Sequence, residues 1–117
     1  MAHIHDLYGG GRAGPLDPDA AFTEMEAAAD EWTDAEAAAA LLEETKHVLL
    51  AQLMSGQDGS ISSREMHAKA TSSYDLHVRG MVEARRKANR AKARLQNMKA
   101  RQEARRTAEV SARVAIS

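Results

Sequence analysis

The chain has no cysteine. Disulfides and thiolate metal sites are therefore excluded, and the absence suits a reducing compartment. Aromatic residues make up only 3% of the 117 residues. Large apolar side chains are too few for a thick globular core, and a short chain buries a small fraction of its surface. No apolar run approaches the roughly 20 residues that cross a bilayer. The opening "MAHIHDLYGGGRAG" lacks the apolar centre of a signal peptide. The expectation is a soluble, cytoplasmic protein with no membrane partner.

What the chain does have is alanine and charge. Its hydrophobic share is 44%, much of it alanine, and 28% of residues are charged. That composition favours long helices or coiled coil. The net charge of −1 hides a strong asymmetry. Residues 1–44 hold eleven acids against Arg12 alone, and residues 79–117 hold twelve bases against Glu83, Glu103 and Glu109. Separation of charge between halves is more informative than the sum.

Residues 1–16 are Gly-rich and aperiodic, and they read as a mobile tail. An acidic helical segment follows over 17–55. Asp17 is its expected N-cap and Pro18 its first helical residue. "TDAE", Thr33 to Glu36, matches a capping box that either restarts this helix or lies within it. Its apolar face is predicted from Ala38, Leu41, Leu42, Val48, Leu49 and Leu53, with Thr45 among them. "SGQDGS" sets a loop at 56–62. Ser62 followed by Glu65 starts a short helix, and Ser72 followed by Asp75 starts a long one. The last segment, 63–117, thus holds a short helix and a long basic helix in a single domain. From about Ser73 to about Ser111 only Gly80 weakens the helix. A helix of that length exceeds a compact domain of this size, so part of it must project or pair.

The long helix carries a seven-residue grain. One seam line holds Tyr74, Met81, Ala88, Leu95, Gln102 and Glu109. The other holds His77, Ala84, Ala91, Met98, Arg105 and Ala112. Tyr74, Met81, Ala84, Ala88, Ala91, Leu95 and Met98 are the expected oligomer seam. Alanine there permits close approach but buries little area. Arg85, Lys92, Lys99, Arg106 and Arg113 recur every seven residues on one flank, and Lys87, Arg94 and Arg101 on the other. Two such helices side by side in parallel would oppose cation to cation. An anionic neighbour is required: the acidic helix of the same or a neighbouring subunit, or phosphate.

Enzyme chemistry finds little here. There is no phosphate loop after a strand, no thiol nucleophile and no His-Glu-x-x-His helix among His3, His5, His47, His67 and His77. "HIH", His3 to His5, reads as a polar terminus rather than a metal site. Glu44 and His47 make one Glu-x-x-His pair, but a di-iron bundle needs two. The expectation is a protein without catalytic residues, cofactor or metal. Met25, Met54, Met66, Met81 and Met98 read as core or seam fillers, and Trp32 as a packing anchor. The basic helix points to phosphate-backbone binding, which is insensitive to sequence and sensitive to salt. Its candidate contacts are Arg85, Arg86, Lys87, Arg90, Lys92, Arg94, Lys99, Arg101, Arg105 and Arg106. The helix has no aromatic after Tyr74, so base stacking contributes nothing there.

The stretch "SSYDLHVRGMVEARRKANRAKARLQNMKARQEARRT", residues 72–107, resembles small helical proteins of tailed phages and prophages. The shared grain is a Tyr followed by an Ala/Arg/Lys-rich helix with "EAR", "ANRAKAR" and "EARRT" elements. "LLEETKHVLLAQLM", residues 41–54, belongs to the same pattern. In outline the chain is also similar to the recombination mediators of T4-like phages: acidic first part, Tyr, basic helix. Those mediators carry aromatics near the helix end, where this chain has Gln102 and Ala104. The resemblance implies an accessory protein of DNA recombination or replication in the host-cell cytoplasm. It would bind single- or double-stranded DNA, self-associate, and dock a recombinase or other protein through its acidic segment. The alternative is a structural or inhibitory interaction protein in which acidic and basic helices pair with each other or with a partner. Both share an expected all-α fold: a helical hairpin with one long basic C-terminal helix, coiled-coil-like packing and oligomeric assembly.

Overall fold

The computed structural model describes residues 18–116, so the expected tail, Asp17 and the His3–His5 pair lie outside the described residues. Three helices follow one another: α1 (Pro18–Ser55), α2 (Ile61–Lys69) and α3 (Ser72–Ile116). Among the described residues there is no strand, and the fold is all-α.

Pro18 opens α1, where a missing N–H costs nothing. The "TDAE" box lies inside the helix. Thr33 donates its hydroxyl back to the Ala29 carbonyl at 2.9 Å instead of capping a new start. The helix ends at Ser55, and Gly59 turns the chain with φ 109°, a backbone region that glycine enters freely. α2 begins before the Ser62–Glu65 spacing predicts. Ser60 is its cap and accepts the Ser63 N–H at 3.2 Å. Glu65 instead pairs with Lys69 one turn on, at 2.6 Å. Thr71 links α2 to α3. Its hydroxyl donates to the Ala68 carbonyl at 2.8 Å and accepts the Tyr74 N–H at 3.1 Å. One side chain thereby serves the end of one helix and the start of the next.

α1 and α3 pack antiparallel, and α2 lies mainly against α1. The hairpin is a slab with principal extents of 80 × 39 × 17 Å. Its buried residues are Ala28, Ala35, Ala39, Ala68, Ala88, Ala91 and Leu95. Six of the seven are alanine, so each contributes little apolar area and the helices approach closely. The centre is Ala35, Ala39 and Ala88, with Ala84 against them. On α3 the buried and half-buried positions follow the two predicted seam lines from Tyr74 to Gln102. Those residues, read from the sequence as an oligomer seam, face α1 of the same chain. On α1 a matching seven-residue pattern runs through Ala21, Met25, Ala28, Trp32, Ala35, Ala39, Leu42, Leu49 and Leu53.

Part of the apolar face predicted for α1 lies elsewhere. Leu42, Leu49, Leu53 and Thr45 are half-buried, but Ala38, Leu41 and Val48 are exposed. Bulk drew the prediction to the leucines and valine. The real contact follows the alanines, since they let α3 come near. Beyond Gln102, α3 has no partner helix among the described residues, and residues 103–116 are exposed throughout.

Candidate nucleic-acid interface

The ten candidate cations all stand on α3, but the antiparallel packing divides them. Arg85 points toward α1 and is 32% exposed. Its Nε and Nη2 donate to the two oxygens of Glu43 at 2.9 Å each, and its Nη1 donates to Glu36 at 2.7 Å. Glu36 and Glu43 are seven residues apart, so one guanidinium meets both from a single height on the facing helix. The fork geometry suits two carboxylates at once. Hydrogen bonding to Glu43, then to Glu36, raises the Arg85 pKa further, and the Arg85 hydrogen bond holds the Glu43 carboxyl below its ordinary range.

Arg94 makes the same kind of contact with Glu31 on the other flank of the seam. The Lys92 ammonium lies 5.8 Å from the centre of the Trp32 ring, within cation–π range. Trp32, read from the sequence as a packing anchor, is half-buried on the seam face of α1. His77 also sits at the seam. Its Nε2 is 2.8 Å from the Leu42 carbonyl oxygen, which only accepts, so Nε2 carries the proton in that contact.

Other cations are held within their own helix or not at all. Arg86 reaches Glu83 at 3.4 Å and Arg106 reaches Glu103 at 3.5 Å, both exposed pairs of the weak class. Among the described residues, Lys87, Arg90, Lys99, Arg101 and Arg105 form no ion pair, and all five are exposed. Lys87, Arg90, Arg101 and Arg105 fall on one side of α3 together with Arg94. From Lys87 to Arg105 that line is roughly 27 Å long at 1.5 Å per residue.

Glu31, Glu36 and Glu43 were not read from the sequence as ion-pair partners; Glu36 entered only as the end of a capping box, and Glu43 only as a faint metal-site carboxylate beside Glu44 and His47. A signal for two of them was present: Glu36 and Glu43 repeat at the same interval of seven as the cations. Glu44 and His47 are exposed, and among the described residues no three His, Asp or Glu side chains converge. Nor is any helix among them long and apolar enough to cross a membrane. No family model, curated protein or solved structure matches this chain.

Proposed function

We propose that this chain is a self-associating accessory protein of DNA recombination or replication that grips the phosphate backbone through α3, and that it is not an enzyme. The observation that supports this reading is the set of five cations that, among the described residues, are left without an ion pair once the hairpin has formed. Had α1 existed only to neutralise α3, its acids would meet those cations too. The resemblance to phage helical proteins points the same way. Arg85, Lys92 and Arg94 then serve the hairpin, and the cations available to phosphate come from Lys87, Arg90, Lys99, Arg101 and Arg105.

Counterion release sets the test. With five phosphate contacts, affinity falls about 500-fold for duplex and about 100-fold for single strands between 50 and 200 mM salt. Fluorescence anisotropy with both kinds of oligonucleotide measures this. Arg90, Lys99 and Arg105 changed together to Gln should weaken binding strongly and leave the thermal midpoint nearly unchanged. An absence of binding at 50 mM salt ends the reading.

A second reading is favoured by the clasp of Arg85 between Glu36 and Glu43. Here acid and base pair to build a structural or inhibitory interaction protein. It predicts that Arg85→Met lowers thermal stability and that no cation variant alters a nucleic-acid affinity, because there is none.

A further inference from the structure

The two long sides of the hairpin differ. On one side three shallow depressions lie in a row between α1 and α3. One holds Met25, Met98 and Arg105, the next Ala27, Ala28 and Arg94, the third Ala35, Ala38 and Ala84. The α1 rim of this groove is acidic: Glu24, Glu31 and Asp34. The α3 rim is basic: Lys87, Arg94 and Arg101. On α1, steps of seven residues carry the groove on toward the turn, where its rim becomes apolar; on α3 the same steps lead from Lys87 to Gly80. Leu41 and Val48 continue the line of Asp34 on α1, and Leu76 lies across from Val48 on α3. These three are 63%, 55% and 68% exposed.

Two observations favour this side as a contact surface. Exposed leucines and valine in line along one groove are a surface normally covered. Among the described residues, Glu24, Asp34, Lys87 and Arg101 on the rims make no ion pair. The hairpin's own core, almost all alanine, also leaves much apolar stabilisation to be found elsewhere.

We propose that this groove is the interface between two copies of the chain, related by a two-fold axis parallel to the helices. Charge selects that symmetry. A two-fold axis lying across the helices would set α1 on α1 and α3 on α3, acid on acid and base on base. An axis along the helices sets α1 of each copy on α3 of the other and keeps every residue at its own height. Glu24 then meets the second copy's Arg101, Asp34 meets its Lys87, and Val48 meets its Leu76. The product is a four-helix bundle with every neighbour antiparallel. Glu31 and Arg94, already paired within each chain, join a four-charge cluster. The face is large enough: α1 is about 57 Å long and two helices are about 20 Å wide, on the order of 1,000 Å² against the about 800 Å² per partner of a stable interface.

This surface lies beside the intrachain seam and differs from it. The inference specifies the self-association in the functional reading above and rests on that part alone; in the dimer Lys87 and Arg101 face the second copy, and Arg90, Lys99 and Arg105 remain for phosphate. Sedimentation equilibrium without nucleic acid at about 100 μM, where a micromolar dissociation constant gives mostly dimer, should return twice the chain mass. Leu41→Lys with Val48→Lys should weaken the dimer by about 100-fold or more, with helix content by circular dichroism retained. Because the chain lacks cysteine, Val48→Cys and Leu76→Cys variants report the symmetry directly. Mixed under mild oxidation, they should form a covalent dimer of one of each. Val48→Cys alone should form none at a comparable rate. A single-chain mass at that concentration overturns the proposal. So does a Leu41→Lys, Val48→Lys variant that dimerises normally, or a Val48→Cys chain that links to itself as fast as the mixture links. An oligonucleotide titration that fails leaves the dimer standing, and a monomer leaves phosphate binding standing.

Discussion

Leu95 is the one large side chain among the buried residues, at 4% exposure. The antiparallel register sets it across from Ala28, with the half-buried Met25 and Trp32 one turn to either side on α1. Changing it to Ala removes most of a leucine's burial, about 2–3 kcal/mol by transfer alone. A residual cavity adds to this, with Leu→Ala in cores costing about 2–5 kcal/mol. Two helices that touch through alanine can close part of the gap by moving together, which places the expectation near 3 kcal/mol, at the lower middle of that range. Against a total stability of about 5–15 kcal/mol for a small domain, the loss is large. In urea, with a slope of about 1–3 kcal/mol per molar for a small protein, the midpoint should fall by at least 1 M. The assay is equilibrium unfolding followed by circular dichroism at fixed protein concentration, since association shifts apparent stability. Val110→Ala, on the part of α3 that extends past α1, is the control, because it removes a methyl-bearing side chain from the same helix without touching α1. Its effect should stay within about 0.5 kcal/mol. Equal effects from the two variants would mean that α3 does not rest on α1 through this face, and the account of the hairpin would fail.

The Glu43 carboxyl is held low by its hydrogen bond from Arg85, so its contribution to stability is present above its ordinary value of 4.5 and is lost as pH falls through the folded value. Carboxyl-carbon NMR should show Glu43 titrating below 4.5 and returning upward in Arg85→Met; an unchanged titration would remove the clasp from the argument. Gly80 lies within α3, and a Cβ added there meets nothing within 4 Å. Gly80→Ala should therefore stabilise by up to about 1 kcal/mol and raise the thermal midpoint by about 4–8 °C. A fall in the midpoint would show that the glycine serves a conformation other than this one.

Much of α3 was legible in the sequence because its signal is long and regular. Seven-residue spacing from Tyr74 to Met98 gave the buried face, and its loss after Gln102 matches the point where α1 runs out. Helix starts were less legible. Ser60 and Thr71 cap where Ser62 and Ser72 were expected, since several hydroxyls stand close together and local spacing does not say which one turns outward. The α1 face was half legible. Leu41 and Val48 drew attention by size, whereas the contact is made by Ala35 and Ala39. Small residues in an alanine-rich helix look alike until a neighbour is placed. The cations were visible individually, but their division was not. Whether Arg85 or Arg90 meets a carboxylate depends on which side of α3 faces α1, and on Glu36 and Glu43 standing about fifty and forty residues earlier at matching heights.

An alanine seam is smooth. Slide one helix past the other by seven residues and most of the small side chains find another small side chain waiting, with little lost in packing. What makes a single alignment preferable is the sparse set of features that do not repeat: the indole of Trp32 under Lys92, the double carboxylate around Arg85, and the His77 ring against the Leu42 carbonyl. In this hairpin the polar contacts act as detents on a rail, and removing them should leave the helices intact but free to settle at more than one stop.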